Sequence, residues 1–165
     1  MRRTILRAVL MTGAATAFLP LLPNPATAAE TRAGDLVVVD PWSRAVSPRA
    51  PSAAGYVVIR NTGAAPDRLI GGETPNARAV EMHETAMLDG VMRMRSVGAP
   101  PTIPPGGELR FAPGGMHLML LDPRGGFTPG GRVPLTLIFE RAGRVTVELE
   151  VTTAGARGPS AHQGH

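Results

Sequence analysis

From Leu36 onward the chain alternates apolar and polar residues in short runs separated by turn-forming residues. The pattern is clearest near the end. Val133, Leu135, Leu137 and Phe139 alternate with Pro134, Thr136, Ile138 and Glu140. Val145, Val147, Leu149 and Val151 alternate with Thr146, Glu148, Glu150 and Thr152. A period of two belongs to a strand with one buried face, and Arg141-Ala142-Gly143 reads as the hairpin between them. Further strands are predicted over Leu36–Val39, Ala54–Arg60, Arg68–Ile70, Arg78–Glu84, Val91–Val97, Glu108–Phe111 and Met116–Leu121. Asp89-Gly90 is a strong two-residue turn signal between the fourth and fifth of these. Seven to nine short strands at roughly ten-residue spacing predict an all-β domain, a Greek-key β-sandwich or barrel.

Composition sharpens this picture. The 20 glycines and 17 prolines oppose long helices. The absence of cysteine excludes a disulfide scaffold, zinc ribbons, iron–sulfur ligation, cysteine nucleophiles and the blue-copper His₂Cys centre. Any metal chemistry falls to His, Met, Asp or Glu.

The first 28 residues follow a different pattern. Arg2, Arg3 and Arg7 precede an apolar run from Ala8 to Leu22, and Ala26-Thr27-Ala28 fits a small-x-small cleavage site. Residues 1–28 are therefore expected to be a cleavable export signal, and Arg2-Arg3 leaves both the general and the twin-arginine export routes open. An uncleaved anchor is the competing reading. The run is short for a membrane span, however, and Thr12, Gly13, Thr16 and Pro20 interrupt it. No second apolar stretch is long enough to span, so no transmembrane segment is expected in the mature chain. The expected location is the periplasm or the outer face of the cytoplasmic membrane. Setting aside the three leading arginines, the formal charge of +4 falls to near neutrality. That leaves no electrostatic footprint for nucleic acid. The domain is expected over 29–153, followed by a flexible tail over 154–165 that holds His162 and His165 and no core-forming residue.

The candidate chemistry is concentrated. Outside the first 28 residues, all the methionines (Met82, Met87, Met92, Met94, Met116 and Met119) lie within Met82–Met119, together with His83 and His117. Each has a plain structural reading. Methionine in a strand is usually core filler, and Met92 and Met94 are expected on the core face of their strand, with Arg93 and Arg95 on the wet face. In Met116–Leu121, however, Leu118 and Leu120 already supply the core. His117 and Met119 project from the other face. Imidazole plus thioether suits copper, and soft thioether sulfur favours Cu(I). His83 and Met94 could complete a neutral set of two His and two Met.

The motifs Trp42-Ser43-Arg44-Ala45, Ala53-Ala54-Gly55-Tyr56, Asp67-Arg68-Leu69, Glu81-Met82-His83-Glu84, Gly90-Val91-Met92-Arg93-Met94-Arg95 and Pro113-Gly114-Gly115-Met116-His117-Leu118-Met119-Leu120 occur in this order. Together they resemble the periplasmic copper chaperone family PCu(A)C, over about residues 36–152. The resemblance implies a cupredoxin-like β-fold binding one Cu(I), with the family's ligands falling on His83, Met94, His117 and Met119. Met92, one strand repeat from Met94, is the rival for that position. It also implies a carrier, not an enzyme, that passes copper to cytochrome c oxidase subunit II or to another copper chaperone. Some members carry C-terminal extensions that bind Cu(II), which makes His162 and His165 a candidate second site beside an inert tail. Two other classes compete. An electron-transfer cupredoxin would share the fold but lacks its cysteine here. A metal-free interaction domain of the cell envelope would use methionine as core and histidine as surface.

Overall fold

The computed structural model describes residues 29–159. The expected export signal and both tail histidines, His162 and His165, lie outside the described residues. Among the described residues there are eleven strands: β1 (Glu30–Ala33), β2 (Leu36–Arg44), β3 (Ser52–Asn61), β4 (Asp67–Glu73), β5 (Ala79–Leu88), β6 (Val91–Ser96), β7 (Thr102–Ile103), β8 (Glu108–Phe111), β9 (Met116–Leu121), β10 (Arg132–Phe139) and β11 (Gly143–Thr152). The count exceeds the seven to nine expected. The additions are β1 and β7, of four and two residues. Such short segments carry too little alternation to register as strands in a sequence.

The sheet runs β6-β5-β9-β3-β2-β11-β10-β4-β7, with β1 on β2 and β8 on β3. Only β11 and β2 are parallel among the paired strands. The sheet curls so that one face encloses the core. Leu118 and Leu120 of β9, Leu135 and Leu137 of β10, and Leu149 of β11 are fully buried in one cluster. The alternation in β10 and β11 holds as expected, with Val133, Leu135, Leu137, Phe139, Val145, Val147, Leu149 and Val151 buried.

Two irregularities prepare the site. In β2 one extra residue is accommodated between Val39 and Trp42, where Asp40 has φ 50°. Such a bulge re-aims the side chains beyond it. Trp42 and Tyr56, paired across β2 and β3, build a separate small cluster with Ala156. The second irregularity lies along β3. Strand β8 pairs with Val57–Arg60 and β9 with Ser52–Gly55, so β8 and β9 are two stretches of one interrupted track. The interruption holds Pro113-Gly114-Gly115, where Gly114 takes φ +84°, a conformation L side chains resist. The Ala112 N–H donates to the Met116 carbonyl at 2.8 Å and closes it.

The segment after β11 departs from the expectation of a tail without core residues. Ala156 is buried against Trp42 and Tyr56, and Arg44 Nε donates to its carbonyl at 2.8 Å. A single small side chain gives no periodic signal, so this contact has no trace in the local pattern.

Candidate metal centre

His83 on β5 and His117 on β9 are direct cross-strand partners. Met119 follows His117 by one strand repeat on the same face, opposite Glu81. Met94 on β6 lies opposite Thr85, one repeat beyond His83. Since directly paired residues project from the same side of a sheet, all four candidate ligands share one face, the reverse of the one carrying Leu118 and Leu120. Met94, His117 and Met119 line a common depression of about 380 Å³ with Thr85, Tyr56 and Ala154. His83 stands at its side, its ring centroid 6.0 Å from that of His117.

The hydrogen bonds fix which nitrogens remain free. His117 is buried at 6% exposure. Its Nδ1 donates to the Gly115 carbonyl at 3.2 Å, which leaves the Nε2 lone pair unused. His83 Nε2 lies 2.9 Å from Glu81 Oε2. A carboxylate accepts, so Nε2 carries a proton, and in the neutral imidazole Nδ1 keeps its lone pair. That Nδ1 is buried with no partner. A buried unpaired polar atom is costly, and an ion between the rings would satisfy it. Two imidazoles bound to one ion at metal–N distances of about 2 Å have ring centroids about 5 Å apart at a tetrahedral angle and about 6 Å apart at a wide one. The observed 6.0 Å lies at the wide end of that range.

Among the described residues no three His, Cys, Asp or Glu gather into a group that could hold a metal. The other candidate donors on this face are the thioethers of Met94 and Met119, a donor type that suits a soft ion. Met94 is better placed than Met92. Met92 pairs with Met87, one repeat further out, and does not line the depression.

One expectation is overturned. Met92 and Met94 do not face the core. Every residue of β6 is exposed, because β6 is the end of the sheet and pairs only with β5. Alternation of methionine and arginine looks the same on an edge strand as on a half-buried one. Two supporting groups were missed by sequence reasoning: Glu81, which holds His83, and the Gly115 carbonyl, which holds His117. Glu81-x-His83 did carry a signal, because residues two apart share a strand face.

Comparisons with known proteins place the chain in a family and relate its fold to solved structures. Residues 36–151 match the model of the LpqE-like family, described as "Putative lipoprotein LpqE-like". "Putative lipoprotein Lxx21020" of Leifsonia xyli subsp. xyli is 29% identical over 130 residues, 79% of this chain and 77% of that protein. Among solved structures, the copper-bound PCuAC domain of PmoF2 is 30% identical with a TM-score of 0.62, covering 76% of this chain and 98% of that one. The solution structure of Cu(I)-DR1885 from Deinococcus radiodurans is 26% identical with a TM-score of 0.57, covering 78% of this chain and 84% of that one.

Proposed function

Because the chain belongs to the LpqE-like family and shares its fold with PCuAC domains, we propose that it is an exported copper carrier. It holds one Cu(I) between His83, Met94, His117 and Met119. The observation that carries this reading is the facing pair of imidazoles, each with one nitrogen occupied by the protein and one lone pair free. The copper-bound relatives support the identity of the ion.

In this reading the ion is cargo, and the site must release it. His117 is held in the sheet, while Met94 is on the edge strand, open to a partner. Exchange begins at Met94. An incoming ligand replaces its thioether, and the imidazoles follow. A thioether needs no proton to leave, so the first step is independent of pH. The imidazoles compete with protons and lose the ion on acidification.

The acceptor we propose is the dinuclear copper centre of cytochrome c oxidase, reached directly or through another copper chaperone. The location is the periplasm or the outer face of the cytoplasmic membrane, reached by cleavage after residue 28. Among the described residues no helix is long and apolar enough to cross a membrane. Lipid attachment through a cysteine thiol has no acceptor in these 165 residues, which contain no cysteine. His162 and His165 offer two imidazoles to Cu(II), a harder ion than the main site prefers.

The test is an anaerobic competition titration against a chromophoric Cu(I) chelator. Wild type is expected to bind one Cu(I), with His117→Ala and Met119→Leu each weakened by about tenfold or more, equivalent to about 1.4 kcal/mol. Failure of the wild-type protein to compete would overturn the copper reading.

A further inference from the structure

The β5–β6 hairpin carries more thioether than one four-ligand site uses. Its turn is Asp89-Gly90, with φ 52° and 76°, and Leu88 pairs with Val91 beside it. In a two-residue hairpin that first pair is hydrogen-bonded. The next pair, Met87 and Met92, is the non-hydrogen-bonded kind, in which side chains lie closest. One repeat inward, about 7 Å along the strand, Thr85 faces Met94. Met87, Met92 and Met94 therefore stand on one face, the face that also bears His83 and His117.

Packing does not account for them. Met87, Met92 and Met94 are 61%, 59% and 55% exposed. The opposite face of the hairpin is guarded as edge strands usually are: Arg93 projects there, and Arg95 pairs with Glu84 at 2.9 Å. The methionine face carries no charge on these rungs. An unbranched thioether is a poor choice for an exposed edge strand, where β-branched or charged residues serve better. It is a good choice for a soft ion.

We propose that Met87 and Met92 form an outlying soft-metal site that takes up Cu(I) at the hairpin tip and shares it with Met94. The relay role rests on the copper reading of the main site. The outlying site itself does not. Transfer is ligand exchange alone. A copper–sulfur bond to Met87 or Met92 breaks as one to Met94 forms, and no electron or proton moves. With two thioethers in place of two imidazoles and two thioethers, the outlying site is the weaker, so copper moves inward.

The experiment follows the methionine methyl resonances of the ¹³C-methyl-labelled protein during anaerobic addition of Cu(I). Met94 and Met119 are expected to shift with the first equivalent. Met87 and Met92 are expected to shift together as more Cu(I) is added, and Met92→Leu is expected to abolish the Met87 shift. Stationary Met87 and Met92 resonances beside moving Met94 and Met119 would overturn the outlying site and leave the main reading intact. The reverse, with only Met87 and Met92 moving, would uphold the outlying site and overturn the main one. If no methyl moves, both fall.

Discussion

His83 and His117 face each other across β5 and β9, ring centroids 6.0 Å apart, each tied to the protein by one ring nitrogen. This pairing frames the candidate site. The register of two antiparallel strands, not the sequence distance between the residues, decides that the two imidazoles meet. The tethers decide which nitrogens they present.

The Glu81 tether has a measurable consequence. The carboxylate holds the proton on His83 Nε2 and orients Nδ1 inward. Substituting the supporting partner of a metal-binding histidine usually costs ten- to a hundredfold in affinity. Glu81→Ala is therefore expected to weaken Cu(I) binding by about tenfold or more. Because Glu81 is exposed, the midpoint of thermal unfolding should barely change. Competition titration and a melting curve on the same sample separate the two effects.

Tyr56 gives a pH-dependent signal beside the site. Burial pushes its phenol above the ordinary value, and the nearby Arg44 guanidinium only partly opposes this. The folded protein thus favours the neutral phenol. The associated stability is complete below the unfolded value of about 10 and is lost as pH rises through the higher folded value. Tyr56 is the sole tyrosine, so tyrosinate absorbance reports it alone. The folded protein is expected to titrate later than its denatured form. Tyr56→Phe is expected to lessen the alkaline loss of stability.

Asp67 marks a structural role without chemistry. Its buried carboxylate accepts from the backbone N–H groups of Arg68, Arg141 and Ala142 at 2.8–2.9 Å, which pins the β10–β11 turn to β4. Asp67→Ala strands these donors and is expected to cost at least about 2 kcal/mol in urea unfolding. Asp67 lines a separate depression with Asn61 and Arg141. Cu(I) affinity of the folded variant should stay within about twofold of wild type, as for independent sites.

Gly126 is a backbone constraint near the pocket wall. It has φ +72°, and a Cβ there would lie 2.7 Å from Val46 O and Pro48 N. Val46 O accepts from the Phe127 N–H at 2.9 Å, so it cannot step aside without disturbing the Val46–Phe127 bridge. Gly126→Ala is expected to destabilise the fold by roughly 1–3 kcal/mol or more, read as a lowered thermal midpoint.

The sequence by itself determined the all-β class and the placement of most strands. It also determined the split of β9 into a leucine face and a His/Met face. These are local properties: a period of two is written into neighbouring residues. Leu118 and Leu120 had to go inward, so His117 and Met119 had to take the opposite face. Tertiary structure alone decided the rest. Beyond the bulge at Asp40, Trp42 pairs with Tyr56, and the strand order makes β6 an edge. That edge position exposes Met92 and Met94, which an identical pattern in a central strand would bury. Ala156 returns to the domain across more than a hundred residues to meet Arg44. Register, edges and long-range contacts depend on which strands become neighbours. No short window of sequence contains that information.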